Sequence, residues 1–228
     1  MKLFKEENIK KILEAIQLDE YDDSLQDKKI DQDDFIIEVD KFLDIFLQKG
    51  TSLEIGCGSG DSMEKYNISY GIEPCEKRYL SAKKKGLDIK QNVSECIEFN
   101  DNYFDSVIMI NGFFQVRSDY ESLIEINRVL KTNGNFIVNL LINDNIDIVL
   151  GRCYGFKNFI RLCSQFGFSL QAYKLYNAGK RFVPDEQIGV IISLIKERNF
   201  DNKYLNLLQV KDQKDLLNYL PERDWKLI

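Results

Sequence analysis

Three glycines at alternate positions, Gly56, Gly58 and Gly60, follow directly on Thr51–Ile55, which reads as a short strand. The segment Leu53-Glu54-Ile55-Gly56-Cys57-Gly58-Ser59-Gly60 constrains the fold more than any other. Glycine takes up positive φ without a Cβ penalty and lets a ligand lie against the backbone. A helix starting just after such a loop turns its free N–H groups and positive dipole end toward that ligand. In open α/β sheets, ligands collect at strand C-termini where the strand order reverses. A plain strand–helix turn needs one glycine. Three spaced by two, behind an acidic residue in an apolar strand, fit that simpler reading poorly.

From Thr51 onward strands and helices alternate. Tyr70–Glu73 reads as a second strand, Cys75–Lys85 as a helix ended by Gly86, and Leu87–Gln91 as a third strand. Ser106–Ile110 is unbroken apolar sequence, as expected of a strand covered on both faces. Ser118 and Glu121 form an S-x-x-E capping box ahead of a helix whose buried face is Leu123, Ile126 and Leu130. A turn at Lys131–Gly134 leads into the strand Asn135–Ile142. A helix over Lys157–Phe166 stops at Gly167, and Ser169–Asn177 and Ile188–Lys196 read as two closing strands. Alternation at this spacing predicts a mostly parallel, doubly wound sheet.

The flanks differ from this core. Ile9, Ile12, Leu13 and Ile16 mark an amphipathic helix within residues 3–18. An acidic run over 19–34 follows, then a helix over Phe35–Leu47. The apolar face of that helix is Phe35, Ile36, Val39, Phe42, Leu43 and Phe46, and Gly50 suits its C-terminal cap. The expected organisation is a helical cap over 1–50, the main domain over 51–200, and a tail over 201–228 with one short helix near Asp212–Leu220.

Composition removes several chemistries. There is no histidine, which excludes a Ser-His-Asp triad, a Cys-His dyad and any histidine-based zinc site. Five cysteines form no C-x-x-C pair and read as reduced thiols of a cytoplasmic protein. Lys plus Arg total 31 against 37 for Asp plus Glu, a net charge of -6, which disfavours nucleic acid as a partner. No apolar run reaches the length of a membrane span.

Glu73, followed by Pro74, ends the second strand roughly twenty residues after the first glycine. A carboxylate there suits the two hydroxyls of a ribose; a solvated strand-end glutamate is the simpler alternative. Together these segments resemble the class I S-adenosylmethionine-dependent methyltransferases. Glu54 to Gly60 matches that family's acidic residue followed by G-x-G-x-G, and Tyr70 to Pro74 is similar to its second-strand motif. Asn92 to Phe99, with the following Asn100-Asp101-Asn102-Tyr103-Phe104-Asp105, is similar to its adenine loop and the aspartate-bearing turn after it. Val107 to Asn111 resembles its fourth strand, and Arg128 to Asn135 its R-V-L-K-P-G-G turn.

The resemblance implies a Rossmann-like, doubly wound, mostly parallel seven-stranded sheet with an antiparallel last strand. It implies S-adenosyl-L-methionine as cofactor, held by Glu54, Gly56, Cys57, Gly58, Gly60, Glu73 and Pro74. Val93, Ser94 and Glu95 would cover the adenine, and Asn111 would lie beside the methionine part. The chain departs from the family at Asn92 and Val93, which replace a Gly-Asp pair. It also departs at Phe114 and Gln115, where many relatives carry histidines.

A nicotinamide dinucleotide would call for G-x-G-x-x-G, but the third position of that pattern is Asp61, poorly suited to a pyrophosphate. A sulfonium cofactor tolerates acidic neighbours. Methyl transfer is an in-line displacement in which positioning supplies most of the acceleration, with effective molarities of about 10⁵ M or more. A base is needed only if the acceptor must lose a proton, and here it would be Asp, Glu or Tyr. The acceptor pocket is expected between Asn111–Gln115, Asn143–Tyr154 and the N-terminal helices, with Arg152 and Tyr154 as candidate lining. The acidic run is read as a solvated segment or as a lid attracting a cationic acceptor. A small molecule is the expected acceptor, with a protein side chain second. A non-catalytic module of the same fold is the alternative to an enzyme.

Overall fold

The computed structural model describes residues 32–142, 155–179 and 187–200. In chain order the elements are α1 (Gln32–Phe46), β1 (Ser52–Ile55), α2 (Asp61–Tyr66), β2 (Tyr70–Ile72), α3 (Glu76–Lys84) and β3 (Ile89–Lys90). Then come β4 (Phe104–Met109), a 3-10 turn at Phe113–Gln115, α4 (Asp119–Val129), β5 (Leu130–Ile142), α5 (Phe156–Gln165), β6 (Phe168–Gly179) and β7 (Gln187–Lys196). The seven strands form one sheet in the order β3-β2-β1-β4-β5-β7-β6. The pairings from β3 through β5 are parallel, and β7 runs antiparallel to both its neighbours. This is the Rossmann-like sheet with an antiparallel last strand. Its order reverses between β1 and β4, which places the crevice for a ligand at their C-terminal ends.

Each face of the sheet carries its own core. On one side Leu53, Ile55, Val107, Met109, Phe136 and Val138 pack against Leu123 and Ile126 of α4 and Phe159 and Leu162 of α5. On the other, Ile108, Ile137 and Ile191 meet Val39, Phe42 and Leu43 of α1 and Met63 of α2. The alternation of Leu53 and Ile55 with Ser52 and Glu54 along β1 follows from strand side chains pointing to opposite faces. Glu54 therefore emerges on the α2 side.

Four expectations are corrected. The helix expected from Phe35 starts at Gln32 and ends at Phe46. Ile36 lies 40% exposed, outside the buried face of Val39, Phe42 and Leu43. Gly50 does not cap that helix. A Cβ on it would stand 2.3 Å from Asp105 Oδ2, so it is small because β4 approaches closely. The helix end is instead satisfied by the sheet: Asn135 Nδ2 donates to Phe46 O, and Ser106 Oγ accepts from Gln48 N at 3.0 Å. Finally, the turn at Lys131–Gly134 lies inside β5. Leu130 already pairs with Phe104, and the register slips before Ser106 meets Asn135. The amphipathic helix of 3–18, the acidic residues 19–31, the loop bearing Arg152 and Tyr154, and the tail over 201–228 lie outside the described residues.

Lys196, the last residue of β7, is fully buried. It donates to Asn102 Oδ1 (2.9 Å), Asn127 O (2.7 Å) and Leu130 O (2.6 Å). It thereby satisfies carbonyls at the C-terminus of α4 that have no partner within the helix. Burial pushes its pKa down to about 8. Lys196→Met leaves these oxygens without their donor, and a stability loss of about 1–3 kcal/mol is expected. An unchanged urea midpoint would refute this anchoring role.

Candidate functional site

β1 ends at Ile55, and the chain turns through Gly56 (φ 71°), Gly58 (φ 57°) and Gly60 (φ 81°). The three glycines are needed for different reasons. A Cβ on Gly60 would come within 2.1 Å of Leu87 Cδ1, so this residue allows α2 to pack against the segment entering β3. A Cβ on Gly56 or Gly58 would meet no atom within 4 Å. Their positive φ and open flanks make a backbone surface that a ligand can approach.

The N–H groups of this loop are used within the protein. Gly56 N and Cys57 N both donate to Ile72 O, at 2.8 and 3.2 Å. Gly58 N donates to Glu73 Oε2 at 2.8 Å, and Cys75 N donates to Glu73 Oε1 at 2.9 Å. The tip of β2 therefore braces the loop. These bonds divert the amides that a phosphate would require. α2 then opens with acidic Asp61, and Glu64 also lies in its first turn. Lys85 holds both carboxylates.

Glu73 is 4% exposed and Glu54 is 3% exposed. Burial raises the pKa of Glu73, while its two backbone donors and Arg78 oppose the rise. A carboxylate has about four lone-pair sites. With one backbone bond on each oxygen, Glu73 keeps acceptor capacity for a diol. Glu54 lies against Ser62, whose Oγ is 2.6 and 2.7 Å from its two oxygens. Burial, with help from the charges of Glu73 and Asp61, pushes the Glu54 pKa up to about 7 despite that bond.

Between pH 4.5 and 7 the native state consequently holds more protons at Glu54 than the unfolded chain does. The stabilisation is fully present below about pH 4.5 and is lost as pH rises through about 7, an effect of up to roughly 3 kcal/mol. The stability difference between wild type and Glu54→Gln in urea should follow this curve. A difference that is flat from pH 4.5 to 8 would contradict the assignment.

Cys57 is 5% exposed, and burial beside Glu54 and Glu73 raises its thiol pKa well above the ordinary value, so it packs as a neutral thiol. Pro74 O accepts from Gln91 Nε2 at 3.2 Å, which ties the β2 tip to the segment after β3. Val93, Ser94 and Glu95 are all buried. Ser94 Oγ lies 2.8 Å from Ser122 Oγ. Glu95 Oε1 accepts from Arg117 N (2.6 Å) and Ser118 N (3.2 Å) at the start of α4. Ser118 Oγ caps Glu121 N as the box predicts, but the Ser118 N–H goes to Glu95. Asn92 Oδ1 accepts from the adjoining Val93 N.

Asn111 lies two residues past the end of β4, with φ 57°. The following Gly112 lies against β1, since a Cβ there would stand 3.6 Å from Ile55 O. The structure thus brings the glycine loop, Glu73 and the Asn111 corner to one end of the sheet at the switch point. Asn139 and Tyr176, which the sequence reading did not single out, hold that corner from behind. A polar residue inside the apolar stretch Phe136–Leu141 was the available signal for Asn139.

Residues 53–138 match a family model described as a methyltransferase domain. The uncharacterised protein MJ1123 of Methanocaldococcus jannaschii is 27% identical over 178 residues, covering 77% of each chain. Among solved structures, a SAM-dependent methyltransferase of Thermotoga maritima superposes with a TM-score of 0.56 at 19% identity, over 71% of this chain and 96% of that one. A SAM-dependent methyltransferase of Methanosarcina mazei gives 0.58 at 18% identity, over 68% and 96%.

Proposed function

We propose that the chain is a class I S-adenosylmethionine-dependent methyltransferase that methylates a small molecule. The observation that carries the reading is the buried Glu73 carboxylate, braced against Gly58 N–H at the switch point. Glu73 would bind the ribose hydroxyls with its remaining lone pairs. Gly56 and Gly58 would admit the ligand to the backbone, and Val93, Ser94 and Glu95 would form the wall beside the adenine. The Glu73 carboxylate, with its two backbone donors, supplies negative charge, which suits a cation and opposes a dinucleotide's phosphates. When bound, the cofactor supplies an electrophilic methyl group for in-line displacement. The chain's part is to orient the acceptor and exclude water.

A net charge of -6 supports a small molecule over nucleic acid. Five cysteines with no C-x-x-C pair support a reducing, cytoplasmic setting. Among the described residues no helix is long and apolar enough to cross a membrane. The test is turnover: S-adenosylhomocysteine release in the presence of amine, hydroxyl, thiol and carboxylate acceptors, with peptides run in parallel. Acceptor-dependent release with a small molecule is expected. Release with peptides alone would reassign the acceptor, and no release with any acceptor would favour the binding-module alternative.

A further inference from the structure

A buried polar chain runs sideways from the Asn111 corner, across the sheet and away from the glycine loop. Asn111 N donates to Asn139 Oδ1 at 2.6 Å, and Asn139 Nδ2 returns a bond to Asn111 Oδ1 at 2.9 Å. The two residues thus grip each other reciprocally, from the corner after β4 across to β5. The grip fixes Asn111 in the left-handed region, which a non-glycine residue seldom enters. Asn139 Nδ2 also donates to the Tyr176 hydroxyl of β6 at 3.0 Å. Asn139 is 2% exposed and Tyr176 is 7% exposed.

Tyr176 has a seat built for it. It pairs with Gly189 across β6 and β7, and a Cβ on Gly189 would come within 2.1 Å of the Tyr176 ring. The ring of Phe35, on the first turns of α1, packs on its other flank at 5.2 Å between centroids. The same helix reaches the glycine-loop side, where Asp40 accepts bonds from Lys65 and Tyr66 of α2. α1 therefore touches both halves of the site: the helix after the glycine loop, and the tyrosine behind the Asn111 corner.

We propose that Asn139 and Tyr176 are positioning residues that fix the Asn111 corner for the amino-acid end of the bound nucleoside. This rests on the cofactor reading above, which puts the methionine part at that corner. A corner held by two reciprocal bonds cannot drift. Gly112, the next residue, lies near the C-terminal end of β1, so a displaced Asn111 shifts the wall of the crevice beside the glycine loop. The ribose end is governed separately, through Glu73, so the two ends of the ligand respond to different substitutions.

Two probes separate the ends. S-adenosylhomocysteine carries the amino-acid chain, and 5′-methylthioadenosine lacks it. Calorimetric titration of wild type, Asn139→Leu and Tyr176→Phe with both nucleosides tests the assignment. In Asn139→Leu the dissociation constant for S-adenosylhomocysteine should rise tenfold or more, with that for 5′-methylthioadenosine changing less than twofold. Tyr176→Phe removes one hydroxyl from a native-shaped ring and should raise the first constant roughly threefold and leave the second alone. Equal weakening of both nucleosides would mark a purely structural role and overturn the proposal, as would unchanged binding of both. If the wild type binds neither nucleoside, the cofactor reading itself fails and takes this assignment with it; wild-type binding with indifferent variants overturns the assignment alone.

Discussion

Glu73→Ala is expected to weaken S-adenosylmethionine binding by about 100-fold or more. A hydrogen bond to a charged acceptor is worth about 1.5–3 kcal/mol, two ribose hydroxyls would lose such bonds together, and each 1.4 kcal/mol is tenfold in affinity. Glu73 is well placed for an effect of this size because it is held on both oxygens by Gly58 N–H and Cys75 N–H and is almost wholly buried. Those same bonds mean that alanine also loosens the loop. Glu73→Gln is therefore the informative companion. It keeps the shape and one acceptor oxygen but loses the charge, and a roughly tenfold weakening is expected. Titration calorimetry on folded protein measures both. Alanine-variant affinity within threefold of wild type would remove Glu73 from the binding site.

The largest stability effect is expected at Arg128. Its Nε and Nη2 donate to Glu125, its Nη1 to Phe99 O and Asp101, and its Nη2 also to Ile97 O. Glu125 is 2% exposed and accepts from Ile97 N as well. One guanidinium thus fastens the loop from Ile97 to Asp101 onto α4. Removing it strands a buried carboxylate, which costs about 3–5 kcal/mol. For a chain of this size that lowers the unfolding midpoint by roughly 10 °C. Arg128→Met should show this loss, and the double variant with Glu125→Leu should recover much of it, since apolar pairs of similar volume replace buried ion pairs at little cost. A loss under about 1 kcal/mol in the single variant would show that the pair is screened by solvent.

Much of the site was legible because its signals are local. Glu54, the three glycines and the six-residue α2 fall within fourteen residues of one another, and each carries its reason in its own backbone requirement. Glu73 was legible from spacing. What escaped depends on partners far along the chain. Asn139 reads as a polar residue in an apolar strand until Asn111 and Tyr176, 28 and 37 residues away, are brought beside it. Lys196 reads as the charged end of a strand until the Asn127 and Leu130 carbonyls, where α4 passes into β5, close around it. Glu95 was read through the resemblance as part of the adenine wall. Its carboxylate is turned to the start of α4, a contact that only tertiary packing determines. The slip within β5 is likewise set by β4, because Gly134 must pass the backbone of Asp105, where a Cβ would stand 2.9 Å from its carbonyl oxygen.

The central claim is that this switch point takes a sulfonium nucleoside and rejects a dinucleotide. Titration of the wild-type chain with S-adenosylmethionine, S-adenosylhomocysteine, NAD and NADP tests it most directly. Saturable binding of both sulfur nucleosides at one site per chain, with no heat from either dinucleotide, is the predicted result. Binding of NAD or NADP with neither sulfur nucleoside engaged would contradict it.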